Sequence, residues 1–164
     1  MPEVTRKKMT QNKSADEVIL ALKSVASVEY AVKVTRFFKT GPGEYGEGDV
    51  FWGIRNPQAR IIAKEYSNLP LNQVDILLQH AAHEVRLVGL LILVNQYKKA
   101  KSEPEKTRIF EFYCSNFKQI NNWDLVDVSA HHIVGAHCFT RGTELLYQDR
   151  KSTRLNSSHG YISY

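Results

Sequence analysis

The 164 residues suffice for one domain with its own core, and 43% hydrophobic against 24% charged residues is a soluble, globular balance. The longest apolar run, Leu87 to Val94, is too short to span a bilayer, and the charged start of the chain leads into no apolar stretch, which excludes a secretory signal. A net charge of +5 mildly favours a polyanionic partner, and two cysteines, Cys114 and Cys138, supply neither a disulfide framework nor a zinc spacing, so buried, reduced thiols in a cytoplasmic protein are expected.

Residues 1–13 read as a disordered lead. Ser14-Ala15-Asp16-Glu17 is a capping box, followed at helical spacing by Val18, Ile19, Leu22 and Val25, which predicts a helix over 15–26. A second helix is expected from Ser27 through Phe38, with Lys33, Arg36 and Lys39 on a basic side. Residues 40–50 form the one long irregular segment. Gly41-Pro42-Gly43-Glu44-Tyr45-Gly46 matches a phosphate-loop spacing only formally: no strand precedes it, a proline interrupts it and acids follow at Glu47 and Asp49. The better reading is a loop that brings Tyr45 and Trp52 to a surface.

Asn56-Pro57 opens the third helix as N-cap and first-turn proline, with Ile61, Ile62 and Tyr66 as its apolar positions. Leu69-Pro70 breaks it, and Asn72 is the expected cap of a short helix carrying Val74, Leu77 and Leu78. His83-Glu84-Val85-Arg86 opens a strongly apolar helix that ends at Tyr97-Lys98-Lys99. Ser102-Glu103-Pro104-Glu105 is a second capping box, ahead of Ile109, Phe110, Phe112, Tyr113 and Phe117. A further helix is expected from Trp123 to about Cys138, and Gly142 would start another. No stretch alternates over strand length. Antiparallel helix pairs recurring about every 40 residues are the pattern of an all-α, HEAT-like (ARM-type) helical-repeat solenoid.

The end of the chain reads differently. Residues 149–159 match the translation of a common sequencing adapter, so 149–164 are expected to be a non-native tail and the natural protein to be longer. Residues 14–148 then form one repeat domain that is incomplete at its C-terminus. Arg150, Lys151 and Arg154 against Asp149 supply +2 of the +5, and the remaining +3 weakens the argument from bulk charge.

Chemistry concentrates in Asn122-Trp123-Asp124-Leu125-Val126-Asp127. On a helix, Trp123 and Asp127 share one face. Asn122 is the expected N-cap and Asp124 the first-turn acid favoured by the helix dipole. Asp127 has no capping duty, so a carboxylate beside an indole is the best candidate for chemistry, against a plain reading as core Trp and solvated Asp. His131, His132, His137 and Cys138 do not converge as ligands, because 131 and 132 should point apart, so no metal is expected. His131, at i+4, stands within reach of Asp127 as a packing or orienting group.

Two stretches carry a family resemblance. Phe37-Phe38-Lys39-Thr40-Gly41 through Asp49, with Phe51-Trp52-Gly53-Ile54-Arg55-Asn56-Pro57, resembles the N-terminal signature of the AlkC/AlkD-type DNA alkylation repair proteins, and Asn122 to Asp127 resembles their W-D-x-V-D motif. The resemblance covers residues 14 to 148. It implies a HEAT-like-repeat DNA glycosylase that releases cationic alkylated purines such as 3-methyladenine and 7-methylguanine from duplex DNA. Trp123 and Asp127 match the catalytic pair directly. The family's further aromatic and Arg from later repeats fall beyond the matching part of this sequence.

No lysine lies beside the motif, which speaks against a Schiff-base lyase step. The expected DNA contacts are Lys39, Tyr45, Trp52, Arg55 and Arg60, with Lys33 and Arg86 also available and Arg86 better placed to bridge repeats. No cofactor and no membrane are implied, and a monomer in the bacterial cytoplasm or nucleoid is expected. The competing readings are a non-catalytic DNA-binding member of the same fold and a protein-interaction scaffold.

Overall fold

The computed structural model describes residues 13–141. Eight α-helices follow one another there: α1 (Ala15–Ser24), α2 (Val28–Thr35), α3 (Asn56–Glu65), α4 (Leu71–Leu78), α5 (His83–Lys99), α6 (Glu103–Ser115), α7 (Trp123–Ala130) and α8 (Ala136–Arg141). A 3₁₀ turn, Phe117–Gln119, precedes α7, and a π segment, His131–Gly135, joins α7 to α8. Among the described residues there is no strand, only an isolated parallel bridge between Val50 and Ala82. No described helix is long and apolar enough to cross a membrane. The chain is an all-α helical-repeat protein. The expected non-native tail and the helix expected from Gly142 lie outside the described residues.

α5 is the axis of the packing. It touches α3, α4, α6 and α7, and its residues from His83 to Val94 are buried on every side. A helix that is apolar all round has no solvent face to offer and is stable only when surrounded. Its neighbours contribute Ile62 and Ala63 from α3, Leu77 and Leu78 from α4, and Phe110 and Tyr113 from α6. Gly89 lets α4 approach closely: a Cβ there would lie 3.0 Å from Leu78 Cδ2 and 3.3 Å from Leu77 Cβ.

Local signals explain most helix starts. Ser14 accepts from the Glu17 N–H, and the Glu17 carboxylate accepts from the Ser14 N–H, so the capping box closes in both directions. Ser27 caps α2. The box at Ser102 is half formed, because Glu105 accepts from the Lys101 N–H rather than from Ser102.

Other expectations need correction. α2 ends at Thr35, which frees Phe37 and Phe38 from the helix. Asn56 is already helical and Arg55 takes the N-cap position, while Pro70 rather than Asn72 stands before α4. The helix expected over 123–138 is interrupted by the π segment, whose widened turn brings the His131 and His132 rings to 3.7 Å, where an α-helix would have splayed them. Cys114 and Cys138 are only half buried. Between α6 and α7 an apolar groove of ≈ 340 Å³ lies open among the described residues, lined by Tyr113, Phe117, Ile120, Val126 and Val134.

α2 buries none of its residues and is held by backbone instead. The Ser27 N–H donates to the Trp52 carbonyl at 3.0 Å, and Gly53, at φ +74°, lies directly against the start of α2. A Cβ at Gly53 would sit 2.0 Å from the Ser27 carbonyl oxygen and 2.5 Å from the Ala31 nitrogen. Both obstacles are backbone, and the dihedral favours glycine besides. Gly53→Ala is therefore expected to lower stability by more than about 3 kcal/mol, or to release α2, whereas Gly89→Ala, which meets movable leucine side chains, should cost about 1–3 kcal/mol. Urea titration with α-helical circular dichroism separates the two.

Candidate active site

α5 opens with three buried ionisable side chains in four residues: His83, Glu84 and Arg86. A buried charge without partners costs several kcal/mol, so each requires a specific answer from elsewhere in the chain. Glu84 is answered by backbone. Its Oε1 accepts from the N–H groups of Gly53 (2.8 Å) and Ile54 (3.2 Å), and its Oε2 accepts from Trp52 (3.0 Å). That carboxylate fixes the turn that leads into α3.

Asp49, at the end of the long loop, answers the other two. Its Oδ1 accepts from Arg86 Nη2, and its Oδ2 lies 3.4 Å from His83 Nδ1. Asn121 and Asn122 also donate to it, at 3.4 and 3.5 Å. Burial works against the Asp49 charge, but the hydrogen bonds from His83 and Arg86 and the Arg86 charge outweigh it and pull the carboxyl down to about 2.

On the other side of the imidazole, His83 Nε2 lies 2.7 Å from Asp124 Oδ2 in the first turn of α7. Burial alone would depress His83. The bonds and charges of Asp124 and Asp49 overcome it and hold the imidazole above its ordinary value. Asp124, expected as a dipole acid only, is thus also a tertiary ion-pair partner. Asn122, expected as the N-cap, takes that position without capping: it makes no side-chain cap bond, its Nδ2 turns to Asp49, and it is buried. Arg86 serves the same cluster, reaching from α5 to Asp49 on the loop that precedes α3.

Above this polar cluster lies an aromatic cleft of ≈ 420 Å³ between α2, the 51–56 segment and the start of α7, with Tyr30, Phe37, Phe38, Phe51, His83 and Trp123 among its walls. Phe38 is sandwiched, its ring 4.9 Å from Phe51 and 5.6 Å from Trp123. Trp123 remains 50% exposed, so the indole is a surface of the cleft rather than part of the core. One turn on, Asp127 is exposed, and its carboxylate makes no hydrogen bond or ion pair among the described residues. The contact suggested between Asp127 and His131 is not formed. Trp123 and Asp127 share the solvent-facing side of α7, as their spacing requires.

The expected DNA contacts are scattered. Lys39 and Tyr45 meet within the loop, where the Lys39 N–H donates to the Tyr45 hydroxyl at 3.4 Å, and both are exposed. Glu44 accepts from the Gly41 N–H and Glu47 from the Gly43 N–H, both at 2.8 Å, so the loop's own acids occupy amides a phosphate would need. Trp52 is half buried, edge-on to His80 at 5.2 Å with Lys23 over its ring at 5.5 Å. Arg55 lies over Tyr30 at 4.8 Å. Arg60 joins Lys64 and Lys99 around a depression of ≈ 270 Å³ between α3 and α5, and nearby Lys98 Nζ faces His132 Nε2 at 3.3 Å.

The all-α repeat stack thus carries an exposed Trp–Asp pair on α7, an aromatic cleft walled in part by Trp123, and a basic depression between α3 and α5. The chain belongs to the DNA alkylation repair enzyme family, whose family model matches residues 18–155, and the repair of alkylation damage in DNA is the role this membership assigns. No curated protein and no solved structure matched the chain.

Because the Asp49 carboxyl is lowered from 3.8 to about 2, its contribution to stability is complete above about pH 4 and is lost as pH falls through about 2. It amounts to about 2 kcal/mol. Asp49→Asn should remove that part of the acid limb from a plot of unfolding free energy against pH, and an unchanged limb would show that Asp49 is not charged and paired in the folded state.

Proposed function

We propose that the chain is a monofunctional DNA glycosylase that hydrolyses the N-glycosidic bond of cationic alkylated purines, 3-methyladenine and 7-methylguanine, in duplex DNA. The observation that carries the reading is the exposed Asp127 carboxylate, unpaired among the described residues, one turn beyond the half-exposed Trp123, in a chain of the DNA alkylation repair enzyme family.

The substrate does part of the work. A purine alkylated at N3 or N7 carries a positive charge, so its C1′–N bond breaks with the electron pair passing to the base, which leaves neutral and needs no general acid. What remains is an oxocarbenium-like sugar and the delivery of water to C1′. The Asp127 carboxylate opposes the developing positive charge and accepts a hydrogen bond from the attacking water, whose proton then passes to the carboxylate or to solvent. The Trp123 ring face attracts the cationic sugar or base. Asp124 is the poorer candidate for this role, because its Oδ2 is committed to His83 and its Oδ1 is buried.

Duplex DNA is then held through its phosphates. Arg60, Lys64, Lys98 and Lys99 flank the space between α3, α5 and the π segment, a better-grouped set than Lys39, Tyr45 and Arg55. The protein acts as a monomer on DNA in the cytoplasm or nucleoid.

Methylated duplex DNA incubated with the protein should release 3-methyladenine or 7-methylguanine above the spontaneous rate, followed by chromatography. Asp127→Asn should lower single-turnover release by roughly 10²–10³-fold with duplex affinity little changed. No release, or an equally active variant, sinks the glycosylase reading, and binding without release would favour a non-catalytic DNA-binding member of the fold. Arg60→Ala should weaken binding to all sequences alike and reduce the slope of log K against log salt by about 1.

A further inference from the structure

The imidazole of His83 stands between two carboxylates on different elements. Nε2 lies 2.7 Å from Asp124 Oδ2 on α7, and Nδ1 lies 3.4 Å from Asp49 Oδ2 on the loop that precedes the 51–56 segment. A neutral imidazole has one N–H and could donate to only one of them. Facing an acceptor at both nitrogens, the ring satisfies both only as the imidazolium. The side chain is 3% exposed, with the ring tilted against Phe38 at 5.1 Å and Phe51 at 4.8 Å, so water does not replace either partner.

The two carboxylates lead to the pair of residues on which the proposed chemistry rests. Asp124 is the immediate neighbour of Trp123 and lies three residues before Asp127, in the first turn of α7. That turn has no side-chain cap, because Asn122 is turned to Asp49. The stack of Phe51, Phe38 and Trp123 lies against the same imidazole. Nothing else among the described side chains ties the start of α7 to α5 through a charge.

We propose that His83 is the positioning residue of this site: a doubly donating imidazolium that clamps α7 to the Asp49 loop and so sets where Trp123 and Asp127 stand. As a role in catalysis, this rests on the glycosylase reading. As a structural clamp it stands by itself. His83 touches neither the base nor the sugar, and acts through Asp124.

The proposal fixes a direction with pH. The groups that face the imidazole are Asp49 from the loop, Asp124 from α7, and Arg86 from α5 itself, which shares Asp49 with it. Glu84, also on α5, is turned to the backbone of residues 52–54, and Lys33 of α2 lines the same cleft but pairs with Glu29. The two carboxylates next to the ring hold its proton more tightly in the folded state, against the opposing effect of burial. The clamp is therefore complete below the ordinary histidine value of 6.5 and is released as pH rises through the higher folded value. Above that value only one N–H remains, so His83 donates to only one of the two carboxylates, while Arg86 keeps its own hold on Asp49.

The test begins with the unaltered full chain. A two-dimensional NMR titration follows the His83 ring and the Trp123 indole N–H, assigned with His83→Gln and Trp123→Phe. His83 should titrate above 6.5, and the Trp123 indole should shift with the same midpoint. A His83 midpoint at or below 6.5, or an indole indifferent to it, overturns the clamp whatever the protein's activity. The second arm is kinetic. If methylated DNA is processed, base release should fall on the alkaline side with the midpoint measured for His83. Asp124→Asn should move that midpoint down, and His83→Gln should abolish the limb while lowering the single-turnover rate by up to roughly a hundredfold, with duplex affinity changed far less. A full-rate His83→Gln variant, or an alkaline limb that survives it, removes His83 from catalysis. Absence of base release from the unaltered protein defeats the glycosylase reading alone, because the titration decides the clamp.

Discussion

The site depends on how the first turn of α5 disposes of its charges. A helix buried on all sides ordinarily carries no ionisable residue, because desolvation costs more than a single partner returns. Here His83, Glu84 and Arg86 enter the interior together, and each is matched: Glu84 by three backbone N–H groups, Arg86 by Asp49, and His83 by Asp49 and Asp124. The matches reach three otherwise separate parts of the chain, namely the loop ending at Asp49, the turn at residues 52–54 and the start of α7. A single helix end thereby gathers the 51–56 segment and the start of α7 at the aromatic cleft, where Trp123 forms part of the wall.

Rigidity is distributed accordingly. Around α5, interdigitated leucines, valines and isoleucines set the spacing of the repeat stack. At the cleft, packing gives way to polar geometry: α2 buries no residue, Phe37 is 81% exposed, and α7 carries Trp123 and Asp127 outward. Apolar contacts alone would leave such a rim free to slide, because they are not directional. Directional bonds to buried carboxylates hold it instead, which suits a surface that must meet the backbone of a large substrate without closing over it.

The sequence was informative where the signal is local. Ser14 with Glu17, Ser27, and the apolar run from Leu87 announced helices that start as expected, and the Trp123–Asp127 spacing placed both side chains on one exposed face. It was silent where partners are remote. Asp49 lies 34 residues from His83 and His83 lies 41 from Asp124, and no periodicity encodes such pairings. One clue was available: His, Glu and Arg at the mouth of an otherwise apolar helix must find partners somewhere. Asn122 was misread for a related reason, since its tertiary bond to Asp49 prevailed over the local cap. The π segment followed from no residue pattern in the stretch His131 to Gly135.

The anchor that Glu84 provides has a consequence for how this surface can vary. Glu84 recognises amide groups, which every residue except proline possesses, and is blind to the side chains of Trp52 and Ile54. Their own limits come from elsewhere: Gly53 has the carbonyl of Ser27 pressed against it, and Ile54 is buried in the core. The turn beside the cleft is therefore held by backbone bonds that do not depend on the side chain at residue 52. A change of side chain at the half-buried Trp52, or at the exposed Arg55 just beyond, leaves the amide bonds to Glu84 in place, so the anchor tolerates changes in the side chains it carries.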